Sequence, residues 1–167
     1  MHVRGRLPDE LRIESIASRL DERERDFRRK LMDVIIRRGT VINVNADTPA
    51  ELAEWNWRPM IAALSEKKAV VLGDNGDVNF AYPVSALGTR HEVTLADGRR
   101  FTAMCAVDAI GAAFTFEQDV QVHSRCHTCD RPVEVEVKDG EIDRYRPEEV
   151  HILHVDLSKY DVWAGTA

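Results

Sequence analysis

The chain has 167 residues, 44% of them hydrophobic and 31% charged, which suits one globular domain or two small units sharing a core. Its formal net charge of −6 speaks against the concentrated basic surface that a nucleic-acid partner requires. No run reaches the roughly 20 apolar residues that span a bilayer, and "MHVRGRLPDELRIES" has no apolar core of signal type, so a cytosolic protein without a membrane partner is expected.

Taken in chain order, residues 9–38 read as helical. Leu11, Ile13, Ile16, Ala17 and Leu20 recur at helical spacing, followed by Phe27, Leu31, Val34 and Ile35. The basic cluster within "RERDFRRKLMDVIIRR" (23–38) is interleaved with acids and reads as a solvated helix face. Thr48 before Pro49, with Glu51 three residues on, predicts a capping box, and "RPMIAALSEKKAV" (58–70) predicts a further helix. "AVVLGDNGDVNFAYPV" (69–84) predicts a β-hairpin around a Gly-Asp-Asn-Gly turn. Helices followed by a hairpin make a winged-helix outline, so residues 1–84 are expected to form a helical, winged-helix-like region.

Past residue 85 the period changes from helical to two. "RHEVTLADGRRFTAMCA" predicts strands about Asp97-Gly98, and "PVEVEVKDGEIDRYRP" predicts a second pair about Asp139-Gly140. "EVHILHVDL" predicts a last strand, and "VDAIGAAFTFEQD" (107–119) reads as a short helix or an irregular apolar segment. Residues 85–167 are thus expected to form an antiparallel β domain. The fold class is α+β.

The chain has three cysteines, Cys105, Cys126 and Cys129, and an odd count in a reducing compartment argues against a disulfide framework. Cys105 and Asp108 are spaced i, i+3, so on a helix both side chains share one face. A carboxylate repels a neighbouring thiolate, and one of the two should therefore keep its proton at neutral pH. Such a pair suits chemistry on a soft electrophile or metal. The plainer alternative is that Cys105 fills the core and Asp108 caps the segment after it.

Cys126 and Cys129 form a CxxC with His127 inside it and His123 three residues before. This is half of a tetrahedral zinc site, so zinc or another soft metal would have to borrow His123, His127 or Cys105. A redox role of thioredoxin type needs a βαβ context, which the pattern lacks. His2, His91, His151 and His154 stand in no catalytic triad that the sequence identifies. Phe101, Phe114 and Phe116 are candidates to line an apolar pocket around Cys105.

"DGRRFTAMCAVDAI" and, after it, "CHTCDRPVEVEV" together resemble the organomercurial (alkylmercury) lyases. That family carries a Cys-Ala-x-Asp segment after an antiparallel strand pair, then a Cys-His-x-x-x-x-Pro-Val segment. The resemblance spans roughly residues 80–155 and is loose before that. It implies an alkylmercury-lyase type of β core and protonolysis of a carbon–mercury bond. It also implies that Cys105 is the mercury-binding thiol, Asp108 the proton-handling carboxylate, and Cys126 a structural cysteine. No cofactor is then required. An organomercurial is the substrate, Hg(II) the bound product, and small thiols release it. The family's second catalytic cysteine lies near its C-terminus, whereas no cysteine follows Cys129 here. Cys129 is therefore the candidate second thiol, and a metal set drawn from Cys105, Cys126, Cys129 and Asp108 is expected. Two other readings stand beside this one. The first is a non-catalytic binder of a soft metal or organometal on the same fold. The second is a winged-helix regulator that senses metal through its thiols.

Overall fold

The computed structural model describes residues 15–152, which fold into helices packed on an antiparallel sheet. The helical stretch expected over 9–38 is broken where it is described. A 3-10 turn at Ile16–Arg19 precedes helix α1 at Glu22–Arg38. The break is local chemistry: Asp21 accepts from the N–H of Glu24 at 2.8 Å, while the Glu24 carboxylate accepts from the N–H of Asp21 at 2.8 Å. This capping box satisfies two orphan donors and fixes the helix start. Gly39, in the left-handed region at φ 63°, closes the other end. Glu24 also receives Lys67 Nζ at 2.5 and 2.6 Å, tying the start of α1 to the end of helix α2, Trp57–Glu66. Replacing Asp21 with Ala is expected to lower the unfolding free energy by about 1 kcal/mol, read as a shifted urea midpoint at unchanged slope.

The basic cluster of 23–38 lies on the outer face of α1 except for Arg28, which is buried with Glu24 beside the apolar stripe of Phe27, Leu31, Met32, Val34 and Ile35. The capping box expected at Thr48 is absent, since the turn there is a 3-10 helix, Ala50–Leu52, preceded by Pro49 with no side-chain cap.

The hairpin is present as β1 (Val70–Leu72) and β2 (Val78–Ala81). A two-residue strand β3 (Val84–Ser85) follows, then β4 (His91–Leu95) and β5 (Arg100–Ala103) about Asp97-Gly98. Helix α3 (Ala106–Phe116) comes next, then β6 (Val120–Arg125), β7 (Pro132–Lys138) and β8 (Glu141–Arg146). All eight strands form one antiparallel sheet in the order β1-β2-β3-β5-β4-β6-β7-β8. Strand β3 links the hairpin before residue 84 to the strands after it. Of the last strand expected, residues 149–152 form no strand, and 153–157, with His154, lie outside the described residues.

Period-two alternation becomes a two-faced sheet. Phe101, Val93, Val122 and Val135 form one cross-strand row with their side chains buried. Over that face lies α3, whose buried positions Ala109, Ala112 and Ala113 are small enough to bring the helix axis close to the strands. The edge strand β8 is largely exposed and charged, which blunts edge pairing. The helices α1 and α2 pack with the hairpin into the same hydrophobic cluster. No helix among the described residues is long and apolar enough to cross a membrane.

Candidate active site

Strand β5 ends at Ala103, and two residues later Cys105 stands as the N-cap of α3. Its backbone is extended, at φ −143° and ψ 175°, so the side chain turns back over the first helical turn. There Cys105 Sγ accepts from the N–H of Asp108 at 3.4 Å and donates its own proton to Asp108 Oδ2 at 3.0 Å. The i, i+3 spacing thus brings thiol and carboxylate into direct contact, with the thiol in the position that Ser or Asp usually fills at a helix start.

Burial, reinforced by the Asp108 charge and its hydrogen bond, pushes the Cys105 thiol up to about 12. In the resting protein the proton accordingly sits on sulfur and is aimed at the carboxylate.

Two neighbours of this pair carry no motif. Arg28 of α1 is buried, and its Nη2 donates to the carbonyl of Tyr82 just past β2. Burial and the nearby Arg29 pull its guanidinium down to about 10, against the opposing charge of Asp108, so Arg28 stays cationic at neutral pH. Tyr82 is buried as well; burial first, then Asp108 and Cys105, raise its phenol well above the ordinary value. Thiol, carboxylate, guanidinium and phenol therefore form one electrostatically connected cluster between α1, β2 and α3. The helical wheel could have pointed to Arg28, because residues 28, 31, 32 and 35 share one stripe whose other three members are apolar. Nothing local in the sequence singles out Tyr82.

The expected aromatic lining is only partly realised. Phe101 and Phe116 pack together with ring centroids 5.5 Å apart, but Phe116 closes the far end of α3, where Arg99 sits 5.2 Å above its ring. Phe114 is 64% exposed and lines nothing near Cys105, because it lies on the solvent side of α3, opposite the alanines.

Cys126 and Cys129 lie in the tip between β6 and β7, half-buried and exposed respectively. Cys126 Sγ accepts main-chain hydrogen bonds from Cys129 and Thr128 and a side-chain bond from Cys129, which hold its thiol below the ordinary value. His123 faces Glu134 at 4.0 Å, both exposed. Among the described residues no three His, Cys, Asp or Glu side chains gather where a metal could be held, so Cys105–Asp108 and Cys126–Cys129 are two separate pairs. They share one rim of the sheet. Ala103, His91 and Ser124 stand in register across β5, β4 and β6, and each cysteine pair begins two residues beyond that row.

These opposite shifts predict an order of reactivity. At pH 8 iodoacetamide is expected to label Cys126 first and Cys105 last, with Cys105 labelling climbing as pH rises towards 12, as peptide mass spectrometry would follow. Cys105 reacting at the rate of Cys126 at pH 8 would contradict the assignment.

A half-buried thiol–carboxylate pair thus follows the antiparallel pair β4–β5, where the resemblance to organomercurial lyases puts its Cys-Ala-x-Asp segment. That resemblance is borne out: residues 84–165 match the model of the alkylmercury lyase (MerB) family, from β3 onwards. Among solved structures, the chain is similar to one described as the crystal structure of the mercury-bound form of MerB2, with 21% identity and a TM-score of 0.56. The likeness covers 80% of this chain and 64% of that one, and at such identity it concerns the fold. No curated protein sequence matches the chain.

Proposed function

We propose that this protein cleaves carbon–mercury bonds by protonolysis, with Cys105 taking the mercury and Asp108 handling the proton. The observation that carries the reading is the 3.0 Å contact between Cys105 Sγ and Asp108 Oδ2 at a half-buried helix start. The family match over residues 84–165 and the mercury-bound form of the similar structure support it.

The geometry suggests an order of events. When R–Hg⁺ bonds to Cys105 Sγ, the thiol proton passes to the Asp108 carboxylate already bound to it. A soft cation overcomes the raised thiol affinity for the proton because sulfur prefers it. Asp108 is now the acid. It returns that proton to the carbon as the carbon–mercury bond breaks, its electron pair forming the new C–H bond, and Hg(II) stays on sulfur. A second sulfur on mercury pushes electron density towards the carbon. Cys126 and Cys129 stand as a separate pair two strands across the sheet, so a small thiol supplies that second sulfur and then carries the ion away. No resident cofactor enters these steps. Arg28, cationic and buried, balances the Asp108 charge while the proton rests on sulfur.

The test is benzene released per chain when the reduced protein meets phenylmercury and excess small thiol. Many equivalents support the lyase reading. No benzene, with phenylmercury held at Cys105, would overturn it in favour of a binder of organometals on the same fold.

A further inference from the structure

The second thiol pair has a geometry of its own. The tip between β6 and β7 is closed by bonds that use neither sulfur for its main frame: Cys126 N–H donates to the Arg131 carbonyl at 2.9 Å, and Asp130 N–H to the Cys126 carbonyl at 2.9 Å. Asp130 takes the left-handed conformation at φ 55°, and Arg125 Nη1 grips its carbonyl at 3.1 Å and its Oδ2 at 3.0 Å. Arg90 reaches the same carboxylate at 3.3 Å from β4's side of the rim. The loop is thus held in shape from outside, and the bond from Asp130 N–H to the Cys126 carbonyl closes a single turn that carries both Cys126 and Cys129. Two thiols three residues apart on one closed turn, one of them exposed, can converge on a single ion.

The donor count selects the guest. Zinc at a protein site takes four ligands, usually tetrahedral, and among the described residues no third donor joins these two. A cation satisfied by two thiolates fits, and soft sulfur favours a soft metal. The rim adds a reason for the place. Because β5 and β6 run in the same direction with β4 between them, the tip lies two strands, roughly 10 Å, across the sheet from where β5 hands over to Cys105.

We propose that Cys126 and Cys129 form a second, surface site that binds Hg(II) as a dithiolate, separate from the Cys105 pair. Binding forms two S–Hg bonds, releases two thiol protons to water and moves no electrons. That the ion arrives from Cys105 rests on the lyase reading; the site itself does not.

The test uses the reduced, full-length Cys105→Ser chain, in which Ser keeps the N-cap of α3 and a thiol count confirms two free cysteines. Mercuric chloride is added, and the chain is dialysed against rising concentrations of a small monothiol while bound mercury is measured. One ion per chain is expected to persist. Adding Cys129→Ser is expected to make it about 10²-fold easier to displace, because the second sulfur then has to come from solution. Circular dichroism checks that both variants keep their fold. Mercury retained equally after Cys129→Ser, or not retained by Cys105→Ser at all, would overturn the site. Tight retention of zinc chloride under the same dialysis would overturn the two-coordinate assignment. All three results are read without turnover, so they are independent of whether benzene is released.

Discussion

Asp108→Asn is expected to reduce benzene release from phenylmercury by about 10²- to 10⁴-fold while the whole phenylmercury group still bonds to Cys105. The amide keeps the shape of the carboxyl group and can still meet the Cys105 thiol. It cannot take the thiol proton and return it as an acid. The substitution therefore separates capture from cleavage, and the intact organomercurial adduct on the Cys105 peptide should accumulate and be visible by mass spectrometry. Removing the negative charge also removes one of the causes that hold the Cys105 proton, so the thiol should alkylate faster at pH 8 than in the parent chain. Burial, the leading cause, remains. Cys105→Ser should abolish adduct and benzene at that site together. Turnover of Asp108→Asn at the parent rate would remove the carboxylate from the chemistry and leave it as a helix-start residue.

The largest effect on stability is expected from Phe27→Ala, about 3–5 kcal/mol, measured by urea unfolding. Phe27 is fully buried on α1 and meets the Trp55 ring at 5.5 Å, with a 52° tilt between planes. Its removal leaves a cavity between α1 and the segment before α2, a region already filled by Leu31, Leu52 and Leu64 with no exposure. The next residue on α1 is Arg28. A loosened α1 therefore shifts the buried cation that faces Asp108, and Cys105 labelling should change alongside the melting midpoint. A loss below about 1 kcal/mol would mean that α1 is not anchored through this side chain.

Much of this arrangement was legible because it depends on local chemistry. The turns at Asp97-Gly98 and Asp139-Gly140 carry residues of positive φ at Gly98, Asp139 and Gly140, and the alternation around them set the strands. Cys105 and Asp108 were legible as a pair because their contact closes within one helical turn. What stayed hidden needs distant parts of the chain. Arg28 reaches the Tyr82 carbonyl across 54 positions, and a charged residue in a charged run carries no mark of its burial. The Thr48 signal was a good local pattern that the following turn did not use, since a three-residue 3-10 helix offers no longer helix to cap. Phe114 is the opposite case: aromatic character does not say which side of a helix a residue takes, and its position on α3 faces solvent.

The register that sets Ala103, His91 and Ser124 side by side has a consequence for where the sulfurs stand. The reactive thiol belongs to a helix start, whereas the other two sulfurs are carried by a hairpin tip that emerges at the same rim. Residues 126–131 lie beyond the paired strands and outside the buried row of Phe101, Val93, Val122 and Val135. The sulfurs of the tip thus sit apart from the buried row that holds the sheet to α3.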